Sequence, residues 1–383
     1  MHTDYQVQIS DARQDPAWDA FVAQAPDGHH MQTSMWAGAK AAFSWRAVRV
    51  IVTRQGRIVG GAQMLVRPLA RVFAVGYVPK GPVIAEEDPA LPGLIIEALQ
   101  RAGRARRVQY LVVQPSNRGE ALAQQLLQRG FAPSTLEVAP IATLLIDLRP
   151  DSQTMLKAMK SKARCNIRRG IRSGLTVRTG DESDIPTFHR ILVQTSQRQD
   201  FVPHDQAYFV AMWRAFDAQG CIKLFLTECE GEALSACIVI TFGDTLYPKA
   251  CGWSGAHGEC RPNDMLHWGI MQWGKEHGYR YYDFEGIEPE GAAALLRGDP
   301  LPSALKHSVT SFKLSFGGTV TLYPIPYDYV CNPILRWGHR RVFLPLTRRP
   351  QIRKLLDRVT VQRLRKSRQA ADRRAEAGDA RED

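Results

Sequence analysis

The chain reads as a mixed α/β protein made of two tandem copies of one unit. Three observations predict this. A hairpin, a helix and a buried strand follow one another twice, about 180 residues apart. With 383 residues, the chain is long enough for two or three separate cores. At 44% hydrophobic and 23% charged, its composition is globular, excluding a fibrous, collagen-like or wholly disordered protein.

In chain order, WRAVRVIVTRQGRIVGGAQMLVR (Trp45–Arg67) reads as strand, a turn at Gln55-Gly56, and strand. GYVPKGP (Gly76–Pro82) is too rich in Gly and Pro for a strand interior and reads as a shaped loop. A helix over Pro92–Arg104 then leads into a strand over Arg107–Pro115. The second copy opens at Ile222–Gly243, again a hairpin, with its turn at Glu230-Gly231. There a helix over Pro262–Gly278 leads into YRYYDFEGI. The boundaries expected are 1–150, 151–330 and a basic helical tail over 331–383 that ends in low-complexity, disordered sequence.

Between the copies lies a basic helix. Met155, Met159, Ala163, Ile167 and Ile171 recur at spacing four and form a core-facing stripe. Lys157, Lys160, Lys162, Arg164, Arg168, Arg169 and Arg172 fill most of the remainder, and Gly174 ends the helix. The net charge of +12 is concentrated here and in the tail: Ser152–Arg178 holds eight Lys/Arg and no acid, and Arg336–Arg374 holds fourteen against two acids. The rest is mildly acidic. Two basic segments on an acidic body point to a polyanionic partner, nucleic acid or anionic membrane.

Several chemistries find no support. The seven cysteines are odd in number and lack a Cys-x-x-Cys, so neither a disulfide framework nor a zinc ribbon is expected, and the thiols are expected to be reduced. The start is polar and acidic rather than a signal peptide, and apolar runs fall short of the about 18 residues of a membrane span, so a cytoplasmic location is expected. No Gly-x-Ser-x-Gly occurs, and the histidines lack metal-ligand offsets and read as structural or surface residues, so no metal or cofactor is expected. Gln100–Ala105 matches a short pyrophosphate-binding pattern, but it ends a helix instead of opening one.

Three constellations are candidates for chemistry. Thr33 or Ser34 can cap a helix that points Trp36 and Lys40 the same way, a stacking ring one turn from a cation that could hold a nucleotide diphosphate. The loop at Gly76–Pro82 is the second. The third is Tyr281–Gly286 with Ser311–Gly318: acids at the end of a strand, then a lysine among aromatic residues before a Gly-Gly turn.

At these residues the sequence resembles the FemABX-type aminoacyltransferases, in particular their shorter members without the inserted helical arm. The matching pieces run in family order: MQTSMWAGAK, GYVPKGPV, SKARCNIRRGIRSGLTVR, YPKACGW, the Pro262–Gly278 helix, YYDFEGI and SFKLSFGG, together covering roughly residues 15 to 330. The resemblance implies two tandem GNAT-like acyltransferase domains. It also implies transfer of Gly, Ala or Ser from aminoacyl-tRNA to the side-chain amine of a peptidoglycan precursor, UDP-MurNAc-pentapeptide or lipid II. Lys40 maps to the lysine contacting the uridine diphosphate, with Arg198, Tyr208 and Tyr247 as nearest matches for the arginine and tyrosines that complete that site. Phe312 and Lys313 map to the Phe-Lys pair near the transferred aminoacyl group.

An aminoacyl ester is already activated, so its aminolysis needs positioning and a cation for the oxyanion, for which Lys313 is the candidate. Asp283 or Glu285 could take the amine's proton. The basic helix suits tRNA, and the tail either tRNA or the inner face of an anionic membrane. Rival readings are tRNA-dependent peptide-bond formation in another pathway, acyl transfer from acyl-CoA, and non-enzymatic RNA binding.

Overall fold

Two tight turns set the frame of the computed structural model, which describes residues 4–71, 73–116, 119–199, 201–338 and 341. The first unit opens with β1 (Tyr5–Ser10), α1 (Pro16–Gln24) and α2 (Ser34–Ala41). β2 (Arg46–Arg54) and β3 (Arg57–Ala70) then form a hairpin whose turn residues, Gln55 and Gly56, have φ of 51° and 75°. This left-handed pair matches the twist of the flanking strands. Next come β4 (Phe73–Val78), β5 (Val83–Ile84), α3 (Ala90–Ala105), β6 (Val108–Val113), α4 (Glu120–Gln128) and β7 (Ala132–Pro133). α3 carries the chain back so that β6 lies parallel to β4.

The first unit ends with β8 (Ala142–Asp147), and the second opens with α5 (Ser152–Ala158), α6 (Ser161–Arg172), β9 (Thr176–Gly180), α7 (Ile185–Gln199) and α8 (Gln206–Asp217). β10 (Ile222–Cys229) and β11 (Glu232–Phe242) repeat the hairpin, with Glu230 and Gly231 at φ of 50° and 83°. β12 (Thr245–Trp253), α9 (Pro262–Glu276) and β13 (Tyr281–Asp283) repeat the parallel crossover. α10 (Pro289–Leu296), α11 (Val309–Lys313), β14 (Thr319–Leu322), β15 (Tyr327–Val330) and α12 (Pro333–Gly338) close the described chain.

The strands make two sheets, ordered β1-β2-β3-β4-β6-β15-β7 with β5 on β3, and β14-β8-β13-β12-β11-β10-β9. Each unit therefore gives a strand to the other: β8 pairs with β13 and β14, and β15 pairs with β6 and β7. Boundaries at 150 and 330 cut across this exchange, because pairing partners distant in sequence cannot be read from local pattern. A shared apolar core joins the units, with Trp18 and Trp36 from the first meeting Phe209, Phe216 and Ile238 from the second. Two further cores lie beneath the individual sheets.

Four expectations change. Gly76–Val78 belongs to β4, and only Pro79–Pro82 forms the loop. The basic helix is two helices, because Met159 and Lys160 are extended and the Lys160 amide donates to Ser315 O at 2.8 Å. Met155, Met159, Ala163 and Ile167 are buried as the stripe predicts, but Ile171 is exposed and Leu175 takes up core packing after the Gly174 turn. Cys237 and Cys251 are disulfide-bonded rather than reduced: strand register sets them opposite each other on β11 and β12, with Cα atoms 4.1 Å apart.

Gln100–Ala105 lies inside α3, so its amides serve the helix. Among the described residues no helix is long and apolar enough to cross a membrane. The tail beyond α12 falls outside the described residues, except for residue 341.

Gly318 has a φ of 90°, and a Cβ there would sit 2.6 Å from Leu145 O of β8. Gly318→Ala is therefore expected to destabilise the protein by more than about 1 kcal/mol, measured by urea unfolding; unchanged stability would contradict this packing.

Candidate active site

The first part of the site is built on α2. Thr33 caps the helix, its Oγ1 accepting from Trp36 N at 3.2 Å, and Asp19 accepts from Ser34 N at 2.6 Å. This entry fixes Trp36 and Lys40 one turn apart, as predicted. Lys40 Nζ lies 4.6 Å from the Trp36 ring centroid and donates to Tyr208 Oη at 2.9 Å. Tyr208 stands at the start of α8, capped by Asp205. A second ammonium, Lys249 of β12, lies 5.5 Å from the same indole. Among the described residues no carboxylate pairs with Lys40, and burial, aided by repulsion from Lys249, lowers it to about 8. Two cations around one ring, one of them without a carboxylate partner among the described residues, are an arrangement that can attract an anion.

The second part is the end of β13. Asp283 accepts from Thr143 Oγ1 of β8 and from the Glu285 amide, the latter at 2.8 Å. Burial and the Glu285 charge raise it to about 6. The chain then turns through Glu285, whose φ is 37°. Lys249 Nζ is 2.5 Å from Glu285 Oε2, whereas Oε1 is buried without a hydrogen bond and stands 3.8 Å from His29 Nε2.

Lys313 closes the turn, donating to the carbonyls of Phe284 at 3.0 Å, Gly286 at 2.9 Å and also Glu285. Burial lowers it to about 8 although Glu285 and Asp283 oppose this. Its three N–H groups are committed, so in this arrangement it supplies charge and holds the Glu285 turn.

The remaining wall comes from both units. Tyr247 packs against both His29 and His30, with ring centroids 5.0 and 4.7 Å away. Lys80, buried from the Pro79–Pro82 loop, donates to Pro140 O at 2.7 Å and lies 3.1 Å from the Tyr323 ring centroid; burial lowers it to about 7. His29, His30 and Glu285 come close enough to suggest a cation site, but they do not fit one. His29 Nδ1 accepts from Met31 N, which leaves the proton on Nε2, and Lys249 already occupies Glu285.

The other expected residues lie around this centre. Arg198 donates to Trp253 O and, at 2.9 Å, to Ser254 O, which places it at the end of β12. Phe312 packs on His267 and Phe316, with centroids 5.6 and 5.3 Å away, a contact that seats α11 against the second core. Lys157, Lys160, Lys162, Arg168, Arg169 and Arg172 are exposed, while Arg164 is half-buried and donates back to Lys157 O and Met159 O across the helix break. The Lys160–Ser315 hydrogen bond sets this basic face beside the Lys313 segment. Sequence reading missed Lys80, Lys249, His29 and His30. Lys80 and Lys249 sat inside recognised motifs, and that was the available signal.

Comparison with known proteins agrees with this architecture. Residues 14–126 match the FemAB family, and residues 161–294 match an acetyltransferase (GNAT) domain. A lipid II:glycine glycyltransferase of Staphylococcus aureus (strain MRSA252) is 24% identical over 223 residues, which are 55% of this chain and 53% of that protein. The chain thus matches about half the length of that relative. The crystal structure of FemX superposes with a TM-score of 0.76 at 19% identity, covering 88% of this chain and 99% of that one. A tandem GNAT protein from the clavulanic acid biosynthesis pathway gives 0.50 at 12% identity, covering 86% and 99%. The fold is a tandem GNAT fold.

Because the Asp283 pKa is raised from its ordinary 3.8 to about 6, its contribution to stability is fully present below about pH 4 and is lost as pH rises through 6. Wild-type stability relative to Asp283→Asn should therefore fall between about pH 4 and 6 and level off above, as read by urea unfolding. A difference that does not change with pH would show that Asp283 is not shifted.

Proposed function

We propose that this chain, a member of the FemAB family, is an aminoacyltransferase that moves an amino acid from aminoacyl-tRNA to the side-chain amine of a peptidoglycan precursor. The observation that carries this reading is the Lys40–Trp36–Lys249 anion site joined directly to the Glu285 carboxylate. One end suits the phosphates of a nucleotide- or lipid-linked acceptor, the other an amine that must lose a proton. Gly, Ala and Ser are the candidate cargoes.

In the proposed reaction Glu285 takes one proton from the acceptor ammonium, and the freed lone pair attacks the ester carbonyl. A C–N bond forms, the C–O bond to the tRNA ribose breaks, and the ribose oxygen leaves with a proton. The Lys313 charge stabilises the intermediate oxyanion. Asp283 is the weaker candidate for base, since it is 4% exposed and its Oδ1 accepts two hydrogen bonds, whereas Glu285 Oε1 accepts none. No covalent enzyme intermediate is required. The exposed cations of α5 and α6 are assigned to the tRNA, and the tail to contact with the membrane that bears a lipid-linked acceptor.

Radiolabelled aminoacyl-tRNA incubated with nucleotide-linked and lipid-linked acceptors tests the reading, and label reaching neither would refute it. Lys313→Met is expected to lower kcat by about 10²-fold or more with the fold intact. Turnover that needs the Lys313 charge should fall as pH rises through about 8, and Lys313→Arg should move that limb upward. Arg168→Ala with Arg169→Ala should weaken tRNA binding and flatten its dependence on log salt by about 0.7–0.9 for each phosphate that is no longer neutralised. An unchanged slope would place the RNA elsewhere.

A further inference from the structure

We propose that Lys249 couples the anion site to the carboxylate, so that the phosphate of a bound acceptor releases Glu285 to act as proton acceptor. This rests on the aminoacyl-transfer reading above. Lys249 is where the two parts of the site meet. Its ammonium is 2.5 Å from Glu285 Oε2 and 5.5 Å from the Trp36 centroid, the ring that Lys40 approaches at 4.6 Å. Backbone geometry sets it apart as well. Ile238 pairs with Ala250 and Val239 with Pro248, so Lys249 is the unpaired residue of a bulge in β12. A bulge re-aims one side chain out of the alternation of its strand.

The Lys249–Glu285 pair is well shielded, with side chains 10% and 11% exposed. Lys249 is the side chain hydrogen-bonded to that carboxylate, since Oε1 has no hydrogen bond and His29 Nε2 is 3.8 Å away. While Lys249 holds Oε2, that oxygen is engaged by an ammonium and is not open to an acceptor amine. A phosphate seated between Lys40 and Lys249 attracts both ammonium groups and relieves their mutual repulsion. Lys249 then turns to the phosphate and the ion pair opens. Glu285 takes one N–H proton from the acceptor ammonium, and no other bond changes in this step. Energy from a remote part of the substrate is thereby spent at the reacting centre.

The test compares a nucleotide-linked acceptor with the same stem peptide lacking the diphosphate. In the wild-type protein the diphosphate should raise kcat about tenfold as well as lower KM, because truncation of a substrate whose remote binding energy is used in catalysis costs kcat. Inorganic pyrophosphate added to the bare peptide should restore part of that kcat. In Lys249→Met the two acceptors should share one kcat while the diphosphate still lowers KM through Lys40, and Lys249→Arg should keep the wild-type ratio. A diphosphate effect confined to KM in the wild type overturns the coupling without recourse to any variant. Retention of the tenfold ratio in Lys249→Met overturns it too. Transfer to neither acceptor strikes the aminoacyl-transfer reading itself, whereas transfer to both at equal wild-type kcat strikes only the coupling.

Discussion

The exchange of β8 and β15 is the constraint on which the rest of the molecule depends. β8 leaves the first unit and pairs with β13, and β15 leaves the second and pairs with β6. Neither sheet is complete without a strand from the other unit, so the two cannot part without breaking both ladders. The segments that make these crossings, around Pro140 and Tyr323, are also the ones Lys80 fastens, one by a hydrogen bond and the other by its ring. Topology and site are thus secured at one place.

That rigidity allows charge to be buried. Lys80, Lys249 and Lys313 lie near Asp283 and Glu285, and burial is the leading cause of the depressed pKa of Lys80 and Lys313 and the raised pKa of Asp283. Such groups are costly to remove from water unless each finds a partner. Here Lys249 has Glu285, Lys313 has three carbonyls, and Lys80 has a carbonyl and an aromatic face. The aromatic core between the units offsets the cost, with Trp36 serving both as core residue and as the ring that Lys40 and Lys249 approach. With these partners in place, the buried charges are held in fixed positions before any substrate arrives.

Much of the local structure was legible in the sequence. The dipeptides Gln55-Gly56 and Glu230-Gly231 form left-handed turns because the hairpin twist demands them, and Thr33 caps α2 because its hydroxyl meets a free amide. The spacing of Met155, Met159, Ala163 and Ile167 correctly named a buried stripe. Where the reading failed, a distant partner decided. Ser315 breaks the basic helix at Lys160, and sheet register joins Cys237 to Cys251.

By itself, then, the sequence determined the repeated hairpin–helix–strand unit, the Trp36–Lys40 pair and the concentration of positive charge, because turns, caps and periodicity act over a few residues. Only the tertiary structure decided that the units trade strands and that Glu285 belongs with Lys249. It also decided that Lys80 reaches the crossing segments of both units and that Arg198 bonds to the carbonyls of Trp253 and Ser254. Those outcomes depend on pairings across tens to hundreds of residues, where the energy lies in burial and register and leaves no local pattern.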